Sequence, residues 1–328
     1  MTTRRRERIG VAVGKFNPPH LGHGLLIETG AAEVDHLYVL LCDRPDQTLD
    51  VDDRRRWLVD ASPDNVTVLV TPDDLPEANE PWAERALELL PRSPDVAFTS
   101  EPWGPGWAAL MGAEHRSVDE GRSQHSISAT ELRADLGNHF DWLVPAARDD
   151  LARRVVLVGA ESTGKTTLAN ALAEELGTVW VPEHGRWYWE GRRHLDDQGW
   201  TTDEFRRIAV AQRALEADLA RRARSVVISD TDALVTSVWH ERYLGTTDPQ
   251  LDELIEPPDL YLVCCPDFEW VQDGTRESAD ERTWMHERTV ARVKATCAPS
   301  VLLTGSHDQR LATAFEHIRP LTIFPPLV

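Results

Sequence analysis

Arg154-Val-Val-Leu-Val158-Gly159-Ala-Glu161-Ser162-Thr163-Gly164-Lys165-Thr166-Thr167-Leu-Ala-Asn-Ala-Leu-Ala-Glu-Glu-Leu176 is the stretch that sets the fold of the second half of this chain. The apolar run Arg154 to Val158 reads as a buried strand, and Lys165 to Leu176 reads as a helix. Between them lies a complete G-x-x-x-x-G-K-[ST] loop. Gly159 and Gly164 let the backbone curl until successive N–H groups face one point. The helix N-terminus adds unpaired donors and the positive end of its dipole. Lys165 is expected to reach the β- and γ-phosphates of a nucleoside triphosphate, and the Thr166 hydroxyl to ligate Mg2+. A Gly-rich helix cap is the bland alternative; strand, full motif and helix together weigh against it.

Downstream, the strand Ser225-Val-Val-Ile-Ser229 leads into Asp230-Thr231-Asp232. If the strand continues, the two aspartates face the same side. A carboxylate at the end of a neighbouring parallel strand can hold Mg2+ or polarise an attacking hydroxyl; helix capping is the alternative. Thr202 to Ala223 reads as a long amphipathic helix, Leu260 to Cys264 as a strand, Glu281 to Ala295 as a helix and Ser300 to Leu303 as a late strand. The polar connection from Pro266 carries Asp273 and Arg276, with Arg282 beyond it. That composition suits a loop closing over a transferring phosphoryl group, and equally suits solvated surface.

The first half uses the same grammar. Strands at Ile9–Val13, His36–Cys42, Val66–Val70 and Val96–Thr99 alternate with helices at Arg54–Ala61 and Glu80–Leu90. Gly112 to Val118 returns to the sheet, and Thr130 to Leu136 begins a closing helix. Alternation of this kind predicts a parallel α/β sheet in each half. The first strand runs into Gly14-Lys15-Phe16-Asn17-Pro18-Pro19-His20-Leu21-Gly22-His23. Two histidines three apart at a helix start can point the same way. At a strand end they would meet a ligand in the sheet's crevice and donate to phosphate oxygens. Zinc is the rival for a histidine pair, but no third ligand stands at matching spacing. Ser126-Ile-Ser128-Ala-Thr130-Glu-Leu-Arg133 also suits phosphates; capping alone explains the hydroxyls and not the arginine.

The 328 residues correspond to about two domains. Pro145 and the run Arg148-Asp-Asp150 mark the join, giving domains 1–147 and 148–328. The two halves are expected to be separable, with one reservation: the apolar tail Leu321 to Val328 could form a last strand or pack across to the other half. Hydrophobic residues make up 41% and charged residues 27%, the balance of a globular protein. A net charge of -20 argues against nucleic-acid partners without excluding ATP, whose site needs only a local nest of donors. There is no signal peptide and no run long enough to span a membrane. The four cysteines show neither metal nor disulfide spacing, so reduced thiols and a cytoplasmic location are expected. Homo-oligomer formation is left open. Only three lysines occur, and two of them, Lys15 and Lys165, lie in the phosphate-type motifs.

The Gly14–His23 and Ser126–Arg133 segments resemble the nucleotidyltransferase superfamily with HxGH and ISxTxxR signatures, specifically nicotinamide mononucleotide adenylyltransferases. The second half is similar to the ribosylnicotinamide kinase domain of NadR-type proteins. It shares with them Gly159–Thr167, Glu183-His-Gly-Arg186, Asp230-Thr-Asp232 and Pro266-Asp-Phe-Glu-Trp270-Val-Gln272-Asp273-Gly-Thr-Arg276. The resemblance covers nearly the whole chain and implies a Rossmann-like nucleotidyltransferase domain followed by a P-loop kinase domain. Implied activities are Mg2+- and ATP-dependent phosphorylation of nicotinamide riboside and adenylyl transfer from ATP to nicotinamide mononucleotide. Lys15, His20, His23 and Arg133 would hold the ATP phosphates, with Gly14, Phe16, Gly22, Ser128 and Thr130 beside them. Asp52, Arg56 and Trp57 would border that site, and Trp103 would lie near the adenosine. Asp230 or Asp232 would organise metal and base in the kinase. Glu183, Arg186, Trp270, Gln272, Asp273, Arg276 and Arg282 would belong to its substrate or lid region. The chain begins almost at the first strand, without room for the helix-turn-helix domain of the longest members. Two readings stay open beside this one: the same folds acting on another nucleoside or phosphorylated acceptor, and an ATP- or NAD-sensing regulator without turnover.

Overall fold

The computed structural model describes residues 6–192, 199–267 and 279–328. Contacts divide the chain into two units, Met1–Ala147 with Phe324–Val328, and Arg148–Ile323. The tail therefore groups with the first unit, one of the two placements that the sequence left open. It forms no strand; its backbone instead bonds Thr48 and Arg133.

The first unit contains β1 (Ile9–Gly14), α1 (Leu21–Glu33), β2 (His36–Asp43), α2 (Val51–Asp60), β3 (Val66–Pro72), α3 (Asn79–Leu89), β4 (Val96–Thr99), α4 (Gly104–Met111), β5 (Glu114–Ser117) and α5 (Ala129–Ala134). The strands are ordered β3-β2-β1-β4-β5, and every pairing is parallel. Alternate residues serve opposite faces. Ala12, Val39, Leu41 and Phe98 pack with Leu26, Ile27 and Ala31 of α1. Their neighbours Val11, Leu40 and Ala97 pack with Ala83 and Ala86 of α3 and Trp107 and Met111 of α4. Covering on both faces explains why β1 and β2 read as continuous apolar runs. Helix α4 was not among the elements expected from the sequence. Proline near its start is compatible with a first helical turn, and Gly112 at φ 71° ends it.

Helix α6 (Pro145–Leu151) occupies the join. Pro145, read as a linker mark, instead opens a helix at the position where a missing N–H costs nothing.

The second unit continues with β6 (Arg153–Val158), α7 (Lys165–Leu176), β7 (Val179–Val181), α8 (His184–Arg192), α9 (Thr202–Ala220), β8 (Val226–Asp230), α10 (Ala233–Leu244), α11 (Pro249–Asp252), β9 (Leu260–Cys264), α12 (Ala279–Ala295), β10 (Ser300–Leu303) and α13 (His307–Ile318). Its parallel sheet is ordered β10-β9-β6-β8-β7. Val155, Leu157, Ile228 and Leu262 meet α7 and α13 through Leu168, Leu172, Ala314 and Ile318. Val156, Val158, Tyr261 and Val263 meet α10 and α12 through Leu234, Val238, Met285 and Val293. In both units the first strand lies inside the sheet, flanked by strands reached by opposite crossovers. The loop after it opens onto the crevice where α/β folds bind ligands. Among the described residues no helix is long and apolar enough to cross a membrane.

Candidate functional site

In the first unit the loop after β1 delivers the histidine pair. His20 occupies the N-cap position of α1 and His23 lies one turn in. Their rings stack with centroids 3.6 Å apart, and Phe16 meets His23 edge-on at 4.8 Å. Gly22 makes room for this: a Cβ there would lie 3.1 Å from the His20 ring. His23 Nδ1 accepts the His20 backbone N–H at 3.2 Å. A neutral His23 therefore carries its proton on Nε2, free to donate to an anion. His20 Nδ1 is buried without a partner, a polar atom the protein itself leaves unsatisfied. Among the described residues no group of three or more His, Cys, Asp and Glu could hold a metal.

Burial pushes both imidazoles toward the neutral form, His20 down to about 4 and His23 well below 6.5. Arg122 adds to both shifts, and His125 adds to that of His20. These two residues lie just before the Ser126–Arg133 motif and were missed in the sequence. Asp119 builds their loop, its carboxylate accepting from the N–H groups of Ser123, Gln124 and His125. A pH dependence follows. Between pH 6.5 and about 4 the unfolded chain holds more protons on His20 than the folded one, so stability falls as pH drops through that window. The melting temperature of the first unit is expected to decline over this range, and less steeply in His20→Gln. Identical pH slopes in the two proteins would remove His20 as the cause.

Arg133 comes to the same loop by donating to the Asn17 carbonyl at 2.9 Å and to Thr130 Oγ1 at 3.3 Å. Ser128 caps α5: its hydroxyl accepts Glu131 N–H at 3.1 Å and donates to the Glu131 carboxylate at 2.7 Å. Lys15 pairs with Asp73 at 3.0 Å, an acid at the end of β3 that local sequence did not single out. Arg54, fully buried, donates to the carbonyls of Lys15 at 2.8 Å and Cys42 at 3.2 Å and pairs with Asp43. It ties the ends of β1 and β2 together beneath the loop. Of the residues expected nearby on α2, Trp57 is buried, Arg56 pairs with Asp53 at 2.7 Å, and Asp52 is exposed in the first turn. Arg54 takes the inward position because it lies one helical turn before the buried Leu58. Trp103 stands half exposed at the start of α4.

In the second unit Gly159, at φ 141°, begins the phosphate loop; a Cβ there would lie 2.5 Å from the Cys264 carbonyl. Gly164, at φ 79°, precedes α7. Thr163 Oγ1 and Lys165 Nζ both donate to the Ala160 carbonyl, at 2.9 Å each. Ser162 takes a positive φ of 57°, Glu161 is half-buried and Thr167 is exposed. Thr166 Oγ1 donates to Asp230 Oδ2 at 2.5 Å, and Asp230 Oδ1 is buried without a partner. Glu183 follows β7. Burial raises its pKa, while Lys165 lowers and Asp230 raises it, so its carboxyl shares their field. Arg186 adds a smaller favourable charge to Glu183 and lies one turn from Glu190, 3.6 Å away.

Asp232 does not join Asp230 on one side. The strand ends at Asp230, Thr231 turns the chain at φ 78°, and Asp232 caps α10 by accepting from Leu234 and Val235 N–H. Its other oxygen accepts the Tyr261 hydroxyl at 2.7 Å, and burial pushes its pKa up to about 6. Behind it Glu216 pairs with Arg154 at 2.6 Å and accepts Ser229 Oγ at 2.5 Å. These groups hold β6, β8, β9 and α9 together beneath the site.

Arg310 was also not foreseen. This buried guanidinium donates to the carbonyls of Thr163 at 2.9 Å, Cys265 at 2.9 Å and Gly305 at 3.0 Å, and pairs with Asp267. It clamps the phosphate loop from below. Arg310→Ala is expected to cost roughly 2–3 kcal/mol, because it strands a carboxylate and three carbonyls. Arg310→Lys would not restore it, since an ammonium lacks the planar fork. Denaturant unfolding of the second unit measures this, and a loss below about 0.5 kcal/mol would refute the clamp. Arg282 donates to the Ser162 carbonyl at 3.2 Å, which joins α12 to the loop. Trp270, Gln272, Asp273 and Arg276 lie outside the described residues.

Thr166 and Asp230 are the residues here that could hold Mg2+: both offer oxygen, and Asp230 Oδ1 is buried without a hydrogen-bond partner. Mg2+ commonly takes one or two protein oxygens and completes its shell with phosphate and water.

Known proteins agree with this two-part layout. Residues 11–134 match the cytidylyltransferase-like family and residues 154–310 match a family described as an AAA domain. The trifunctional NAD biosynthesis/regulator protein NadR of Escherichia coli (strain K12) is 27% identical over 297 residues, covering 83% of this chain and 72% of that protein. NadR of Salmonella typhimurium gives the same identity and coverage. A crystal structure of NadR protein in complex with NR superimposes with a TM-score of 0.68 at 23% identity, covering 97% of both chains. One of NadR protein in complex with NAD and AMP-PNP gives 0.66 at 24% identity over 96% of both. The first unit is a Rossmann-like nucleotidyltransferase fold and the second a P-loop fold.

Proposed function

We propose that the chain is a NadR-type two-domain protein and a bifunctional enzyme of NAD salvage. Its second unit phosphorylates nicotinamide riboside to nicotinamide mononucleotide, and its first unit joins that product to the adenylyl group of ATP. The observation that supports this reading is the pair of phosphate-type loops on one chain, each following the first strand of its own parallel sheet, with similarity to NadR running through both.

In the first unit a 5′-phosphate oxygen of the mononucleotide attacks the α-phosphorus of ATP, and the bond to pyrophosphate breaks. No protein nucleophile is needed; the work is placement and charge neutralisation. Neutral His20 and His23 donate hydrogen bonds to phosphate oxygens without giving up a proton. Arg133 supplies a fixed positive charge, and Lys15 exchanges Asp73 for phosphate. In the second unit the ribosyl 5′-hydroxyl attacks the γ-phosphorus, ADP leaves, and the hydroxyl proton passes to a carboxylate. Glu183 suits that last role, since burial has raised its proton affinity. Lys165 and the N–H groups of the loop receive the charge spreading over the γ-phosphoryl oxygens. Mg2+ held by Thr166 and Asp230 would screen that charge.

Incubation with ATP, Mg2+ and nicotinamide riboside tests the reading by product mass. Nicotinamide mononucleotide should form first, then NAD with pyrophosphate. ATP binding without either product would leave a sensing role instead.

A further inference from the structure

We infer that residues 324–328 form a positioning strap for the adenylyl-transfer site, so that the segment following the P-loop unit completes a site begun at β1; this rests on the function proposed above.

The strap meets three separate parts of the first unit. Asn17 Nδ2 donates to the Val328 carbonyl at 2.8 Å. The Val328 N–H donates to Thr48 Oγ1 at 2.8 Å, and the Thr48 N–H returns a bond to the Val328 carbonyl at 3.2 Å. The Leu327 N–H donates to the Arg133 carbonyl at 3.0 Å. The Phe324 ring lies against Phe140, centroids 5.5 Å apart. Pro325 and Pro326 restrict the intervening backbone and so lower the entropy lost in ordering it.

Asn17 is the node. It is buried within the Gly14–His23 loop, and its own carbonyl accepts Arg133 Nη1 at 2.9 Å. The strap thus holds the side chain of the residue whose backbone orients Arg133, and also holds the backbone of Arg133 itself. Two phosphate-type motifs far apart in sequence are pinned by one short segment. What it supplies is register between the loop and α5, and an error of about 1 Å in such placement can cost two orders of magnitude in rate.

The test compares the intact chain, a chain ending at Ile323, Phe324→Ala and Phe324→Tyr. Truncation is expected to lower the kcat of NAD formation at least about tenfold, with KM for ATP changed less than about threefold. Phosphorylation of the riboside should be unchanged, which reports an intact second unit. Phe324→Ala should lose part of the rate and Phe324→Tyr should regain it, because the ring contact is kept. Hydrogen exchange without substrate should quicken in residues 14–23 and 128–134 while the melting temperature of the unit stays put. Unchanged exchange and turnover after truncation would overturn the strap, as would a rate loss that merely follows unfolding. An intact chain that makes no NAD would count against the proposed function, and the exchange measurement would still decide the strap.

Discussion

Lys165→Ala is expected to abolish transfer of the γ-phosphoryl group while adenylyl transfer continues at its normal rate. The Lys165 ammonium donates to the Ala160 carbonyl at 2.9 Å, within the loop between β6 and α7. On the proposed function it would reach the β- and γ-phosphates. Negative charge shifts toward the bridging and γ-oxygens as the bond breaks, and a cation placed beforehand costs no reorganisation at that moment. Losing one such group lowers turnover by at least about 10²–10³-fold, which would take the phosphoryl transfer to the limit of detection. Lys165→Arg should rescue little, since a planar fork does not occupy the volume of a point charge. Riboside phosphorylation and NAD formation from the mononucleotide, measured on one preparation, check this. Equal loss of both activities in a folded variant would dismiss the assignment of two separate sites.

Replacement of His20 or His23 by alanine should produce the converse pattern, a loss of about 100-fold in adenylyl transfer with the kinase intact. The rings stack at 3.6 Å, and desolvation keeps both neutral. Neutral donors grip a phosphate through geometry more than charge, so the loss should fall on kcat more than on KM for ATP. His23→Gln offers an amide N–H near the position of Nε2 and should recover part of the rate. A variant of either histidine with unchanged NAD formation would remove that residue from the mechanism.

Some of this was written in short stretches of the chain. The β6–loop–α7 unit is a local structure: an apolar run, glycines at two positions of positive φ, and a helix start with its lysine. Gly14–His23 is likewise local, because His20 and His23 are joined by one helical turn. Continuous apolar strands alternating with amphipathic helices were enough for a parallel α/β fold in each half, since period and length are properties of neighbours in sequence. Other features depend on partners that no local pattern names. Asp230 and Asp232 look equivalent until Thr231 takes a positive φ, which leaves one against Thr166 and turns the other onto Tyr261. Arg54 and Arg310 are indistinguishable in composition from the many surface arginines; only the sheet order brings each beneath a phosphate-type loop. Lys15 meets Asp73 because β1 and β3 both flank β2. The tail's apolar residues left a last strand and packing onto the other half equally open, and the first unit supplies donors and acceptors at Asn17, Thr48 and Arg133. Hydrogen-bond satisfaction across more than three hundred residues then decides its place. Short-range sequence sets backbone shape and period. Which buried charge meets which carbonyl is settled only when the strands have taken their order.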